Sequence, residues 1–124
     1  MIKLLAPFRP TIYALLRIVT GSLFAFHGFQ KLFGLFGASE AAPLLSQRSL
    51  AGIIEGVGGV CIALGFFTSP IAFLASGQMA VAYFQAHAPR GLFPIENGGE
   101  LAILFCWVFL YIAASGTGKW GVRA

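Results

Sequence analysis

The chain has no aspartate and only four glutamates among 124 residues; with eight Lys or Arg, charged residues make up 10% of it. Soluble domains carry about 25%. A water-soluble domain of this size buries too little of its surface to hide the apolar remainder. Cysteine is equally scarce: Cys61 and Cys106 stand alone, with no Cys-x-x-Cys. That excludes a secreted disulfide framework and a dithiol redox motif of the usual spacing. The two histidines and the glutamates are types that ligate zinc or iron, but no HExxH or Glu-x-x-His pair occurs. No metal site is therefore assigned. Haem held by His27 and His87 is not favoured either, since both fall at one end of the predicted bundle. The basic residues are scattered rather than clustered, so no nucleic-acid partner is expected.

What the chain has in abundance is apolar surface. Hydrophobic residues reach 58%, 13 of them Phe, and mean hydropathy is +0.86. A bilayer is the solvent that suits this composition. Four apolar segments, at about 11–33, 50–67, 71–87 and 99–115, predict an all-α, four-helix transmembrane bundle in one domain. Pro10 suits a helix start, Thr68-Ser69-Pro70 a tight break, and Gly52-x-x-x-Gly56 close helix packing or oligomerisation. Arg17 interrupts the first apolar run and no small-residue cleavage site follows it, so a cleaved signal peptide is not expected.

Lys/Arg distribution sets the expected orientation. Lys3, Arg9, Lys119 and Arg123, with Arg17 snorkelling to join them, lie at one end; Lys31, Arg48 and Arg90 lie at the other. The excess places both termini on the cytoplasmic side, with Trp120 as an interfacial anchor. Spans one and three each end near a histidine. Spans two and four each begin near a glutamate, followed six residues on by a cysteine (Glu55 to Cys61, Glu100 to Cys106). Two pseudo-repeated helical hairpins would produce this pattern; chance similarity between apolar segments would too.

The polar residues within these spans are the candidate site. On a helix, Arg17, Phe24, His27 and Lys31 fall in one sector of roughly 80°. Antiparallel connectivity brings the ends of spans one and three beside the starts of spans two and four. His27, Lys31, Glu55, His87 and Glu100 are therefore expected around one cavity at the outer end of the bundle. Charged groups at membrane depth are costly and turn inward. Two readings stay open: a ligand or proton-handling site, or a scaffold of ion pairs, Lys31 with Glu55 and His87 with Glu100. In the first, Glu55 and Glu100 relay protons, His27 and His87 bind or orient a ligand, and Lys31 holds an anionic group. Tyr83, Phe24 and Trp107 would wall a flat ligand such as a quinone. Cys61 and Cys106, at similar depth, read as a redox pair or as two inert thiols. A small transporter is a further reading, and it requires a homo-oligomer.

Several of these pieces resemble one family. His27-Gly28-x-x-Lys31-Leu32, Glu55-x-x-Gly58-Gly59, Leu64-Gly65 with Thr68, Met79, His87, Gly99-Glu100 and Gly116-x-Gly118 occur in the order and spacing of the DoxX family of small four-span membrane proteins. The resemblance covers nearly the whole chain. It implies a bacterial inner-membrane protein. Some relatives resemble subunits of thiosulfate:quinone oxidoreductases. Others are linked to quinone resistance or thiol-oxidative stress, in one case in complex with a superoxide dismutase and a sulfurtransferase. It thus implies a membrane redox component with redox partner proteins and a quinone or small thiol as substrate. The alternative is a non-catalytic anchor or assembly subunit. The family's tail often continues to a Ser and an Asp; here it reads Trp120-Gly121-Val122-Arg123.

Overall fold

The structure, a computed structural model, describes residues 3–37 and 40–122; Arg123, used above in the orientation count, lies outside them. All regular structure among the described residues is helical. After a 3-10 turn at Ala6–Phe8 come α1 (Arg9–Phe33), α2 (Gln47–Leu64), α3 (Thr68–Ala82), a short α4 (Pro94–Asn97) and α5 (Glu100–Ser115). Helix α3 runs on without a break into one π-helical turn, Tyr83–His87, and a 3-10 turn, Ala88–Arg90.

Local chemistry fixes these boundaries. Pro10 occupies the first turn of α1, where a missing N–H costs nothing. Ser46 caps α2, its hydroxyl accepting from the Ser49 amide. Gly65 closes α2 in the left-handed region (φ 75°), with the Phe66 amide reaching back to the Cys61 carbonyl. The break before α3 therefore falls at Gly65–Phe67, and Thr68-Ser69-Pro70 forms the first turn of α3.

Two antiparallel pairs result, α1 on α2 and α3 on α5. In the first pair, backbone meets backbone. A Cβ on Gly21 would stand 2.6 Å from the Ala63 amide nitrogen, and one on Gly28 would overlap the backbone of Gly56. Only glycine permits this approach. Gly52 and Gly56 thus face Lys31, Leu32 and Phe29 of the same chain. The surface expected to serve oligomerisation is spent on α1. Between the pairs sits an apolar core in which Phe24 of α1 packs edge-on to Phe109 and tilted against Phe105 of α5.

The molecule is inverted relative to a soluble protein. Its buried set is rich in small and polar residues, including Arg17, Thr20, Ser49, Glu55, Ser76 and Asn97. Its outer surface is Leu, Val, Ile and Phe, with Phe73 67% and Leu104 60% exposed. Exposed apolar surface on this scale marks a face covered by membrane or protein rather than by water. Two helices, Ala6–Phe33 and Gln47–Leu64, are long and apolar enough to cross a bilayer by length and composition; α5 is apolar but shorter.

Arg17 corrects an expectation. It does not snorkel: it is fully buried, and its guanidinium donates to the carbonyls of Thr117 (2.6 Å), Lys119 (3.2 Å) and Trp120 (3.1 Å). The Tyr13 hydroxyl donates to Gly116 at 2.6 Å, and the Val122 amide donates to the Leu64 carbonyl. The tail folds back over the ends of α1 and α2 and is held there by a cation.

Candidate functional site

At the opposite end of the bundle, Glu55 is 1% exposed in the middle of the glycine seam of α2. A buried carboxylate is strongly unfavourable unless paired and hydrogen-bonded. Both conditions are met. The close approach of α1 brings Lys31, in its last turn, into an ion pair with Glu55 Oε2. From α3, Gln78 Nε2 donates to the same oxygen at 2.8 Å. The other amide atom, Gln78 Oε1, is buried without a hydrogen-bond partner among the described residues.

The second arm of the site rests on the π-helical turn. The wider turn rotates the residues that follow it around the helix axis, and such turns concentrate at functional sites. His87 ends it, its ring stacked on Tyr83 with centroids 6.3 Å apart. His87 Nδ1 lies 3.2 Å from the Asn97 carbonyl oxygen. A carbonyl only accepts, so Nδ1 carries the hydrogen and Nε2 is left as the acceptor of the neutral ring. Asn97, the only asparagine in the chain and almost wholly buried, organises this corner. Its Nδ2 donates to Tyr83 Oη (3.1 Å) and the Gly91 carbonyl (3.0 Å), and its Oδ1 accepts from the Gly99 amide (2.8 Å).

These elements line a half-open cavity of about 290 Å³. His27, Lys31, Glu55 and His87 all line it; Phe24, Met79, Leu101, Ala102 and Phe105 supply apolar walls. His27 meets Phe105 edge-on, with ring centroids 6.0 Å apart, and no hydrogen bond among the described residues engages its imidazole.

Three expected members lie elsewhere. Glu100 is exposed and lines no part of the cavity. The reason is the rotation of α5. Gly99 faces α3 so closely that a Cβ would stand 2.5 Å from the Tyr83 ring. One residue on, a turn of about 100° points Glu100 away. The pair His87–Glu100 is accordingly not formed, and His87 bonds Asn97 instead. Tyr83 and Trp107 line a separate groove on the outer face of α3 and α5, with Cys106; Trp107 is 65% exposed. Phe24 alone of the three proposed aromatic walls belongs to the cavity. Cys61 and Cys106 are free thiols, and Cys106 Sγ lies 3.5 Å from Ser76 Oγ. No three His, Cys or Glu side chains among the described residues are grouped to hold a metal ion.

Sequence reasoning missed Gln78 and Asn97. The signal for Gln78 was a lone amide within an apolar run, which at membrane depth needs a partner. For Asn97 it was Asn-Gly-Gly directly before a helix, a side chain able to mimic a turn.

Comparison with known proteins bears on this arrangement. The model of the DoxX family matches residues 12–88, which hold both histidines, Lys31, Glu55 and Gln78. A protein of Haemophilus influenzae (strain Rd), described as uncharacterized, is 43% identical over 123 residues, covering 92% of this chain and 90% of its own length. No solved structure matches the chain.

Proposed function

This chain belongs to the DoxX family, and from that premise we propose that its cavity binds a single-ring small molecule and exchanges protons with it. The protein would act as a component of a membrane redox system whose substrate is a quinone or a small thiol or sulfur species. One observation carries the reading: two imidazoles with uncommitted ring nitrogens face the same apolar-walled cavity as a buried Lys31–Glu55 pair. A pure scaffold needs each polar group closed by a partner. Here Lys31 and Gln78 close Glu55, whereas the His27 imidazole and His87 Nε2 bond no other described residue.

Size and chemistry agree. A dry cavity of about 150 Å³ already holds benzene, so about 290 Å³ admits one substituted ring. Quinone reduction takes up protons with its electrons, and imidazole is the side chain whose ordinary titration range suits a relay near neutrality. His27 and His87 are assigned to bind and protonate the ligand, Lys31 to favour its anionic form, and Glu55 to hold Lys31 in place and exchange a proton when that pair opens. Electrons are assigned to a partner protein or to the substrate. In the membrane, α1 and α2 cross fully. We assign the other two crossings to α3 with its continuation to Arg90 and to α5. The basic ends then put both termini on the cytoplasmic side of the inner membrane.

The test uses purified protein with a soluble quinone and thiosulfate or a small thiol as donor. Saturable quinone-dependent turnover that falls 10²-fold or more in His27→Ala, with the fold intact, is the expected result. Turnover equal in both proteins contradicts it. No turnover with any donor, together with a stoichiometric co-purifying protein, establishes instead a non-catalytic anchor or assembly subunit.

A further inference from the structure

A second concavity, of about 310 Å³, runs between α2 and α3 on the other side of the Lys31–Glu55 pair. Its polar lining is Lys31, Arg48, Gln47, Gln78 and Gln85; its apolar lining includes Leu50, Ile54 and Val81. No acidic side chain lines it. Gln47 Nε2 donates to Gln85 Oε1 at 2.7 Å, tying the first turn of α2 to the π-helical turn across the groove. Arg48 is exposed and makes no hydrogen bond or ion pair with another described residue. Lys31 is 25% exposed and spends one of its three N–H donors on Glu55.

The groove thus joins two cations and side-chain amides at its helix-end side to an aliphatic wall that continues along α2 and α3. It lies where the chain enters and leaves the apolar slab: Gln47 and Arg48 begin α2, and Gln85 is in the π-helical turn that continues α3. The α2 N-terminus adds a positive partial charge there. We infer that this groove holds the anionic headgroup of a membrane phospholipid. The phosphate would lie between Arg48 and the free N–H groups of Lys31, the glycerol against the Gln47–Gln85 bridge, and the acyl chain along Leu50, Ile54 and Val81. Charge complementarity selects an anionic over a zwitterionic lipid, because Glu55 already offsets Lys31 and Arg48 is left uncompensated, and a choline headgroup would bring its own cation against it. Basic clefts between membrane helices recognise lipids by this chemistry. The inference stands on the groove alone and does not require a ligand in the central cavity.

Native mass spectrometry of the detergent-solubilised full chain tests it, with phosphatidylglycerol, phosphatidylcholine and inorganic phosphate as separate probes. Wild type should retain one phosphatidylglycerol at least fivefold more tightly than phosphatidylcholine, the ratio one interfacial cation provides. Arg48→Gln should abolish the preference. Gln85→Glu should abolish it as well: a carboxylate still accepts from Gln47, but it puts a negative charge in the groove. Arg90→Gln removes an exposed cation that does not line the groove and should leave the preference unchanged. Melting curves of the lipid-free variants that match wild type show that the fold is intact. Equal retention of both lipids, an Arg48→Gln protein indistinguishable from wild type, or a loss of preference in Arg90→Gln overturns the inference. Inorganic phosphate that binds the site as tightly as the lipid also overturns it, by assigning the groove to a free anion.

Discussion

Arg17 and Lys31 stand on one side of α1 and are satisfied by different chemistry. Arg17 is held by backbone carbonyls of the tail, Lys31 by a buried carboxylate. The sequence shows which side chains are charged and on which face, and for Lys31 that was enough, since Glu55 is itself a visible charge. It does not show that a tail folds back and aims three carbonyls at one guanidinium, which is why snorkelling was the expectation for Arg17. Arg17→Lys keeps the charge but loses the planar fork. It should cost about 1–3 kcal/mol and speed hydrogen exchange at the amides of residues 116–122 before any other region. At the other end, the two members of the ion pair differ in burial, Glu55 at 1% and Lys31 at 25%. Lys31→Met strands a charge in the interior and should cost about 3–5 kcal/mol. Glu55→Gln leaves an ammonium that already reaches the cavity, and should cost less. Detergent melting of the two variants, with the double variant Lys31→Met/Glu55→Gln recovering part of the loss, checks the asymmetry.

At the scale of the elements, the helices were legible and their rotations were not. Hydropathy located all four apolar segments, and Pro10, Ser46 and Gly65 mark ends that capping chemistry explains. The π-helical turn at Tyr83–His87 leaves no trace in a pattern of apolar residues, yet it sets where His87 points. The rotation of α5 depends on Gly99 packing under Tyr83, a tertiary contact, so Glu100, expected around the cavity, does not line it. Glycine shows the same division between local and tertiary causes. Gly28 and Gly77 are both helical, but a Cβ on Gly28 collides with the backbone of α2, while nothing lies within 4 Å of one on Gly77. Gly28→Ala should force α1 and α2 apart at a cost of about 1–3 kcal/mol, disturbing Lys31–Glu55 with it. Gly77→Ala should be neutral or raise stability by up to about 1 kcal/mol. Comparative melting of the two variants separates packing glycines from incidental ones.

For the whole molecule, composition carried the furthest. A chain with 10% charge and 58% hydrophobic residues turns its Leu and Phe outward and its polar groups inward, because the solvent at its surface is hydrocarbon. Once the helices pair antiparallel, the groups that cannot face lipid share the interior, and His27, Lys31, Glu55 and His87 meet at one end of it. The hydrogen bonds within that meeting were out of reach of the sequence, since Gln78 and Asn97 act through geometry rather than through a recognisable motif. The central claim is that this cavity is a ligand site and not only a knot between helices. His27 decides it, because its imidazole faces the cavity and no hydrogen bond to another described residue ties it into the fold. The direct measurement is the affinity of the purified protein for a soluble single-ring quinone, by fluorescence or calorimetric titration, for wild type and His27→Ala with melting temperatures taken in parallel. Saturable one-site binding to wild type, weakened about tenfold or more in His27→Ala at unchanged melting temperature, is the predicted result. Absence of saturable binding to wild type, or equal affinity in the two proteins, contradicts the account.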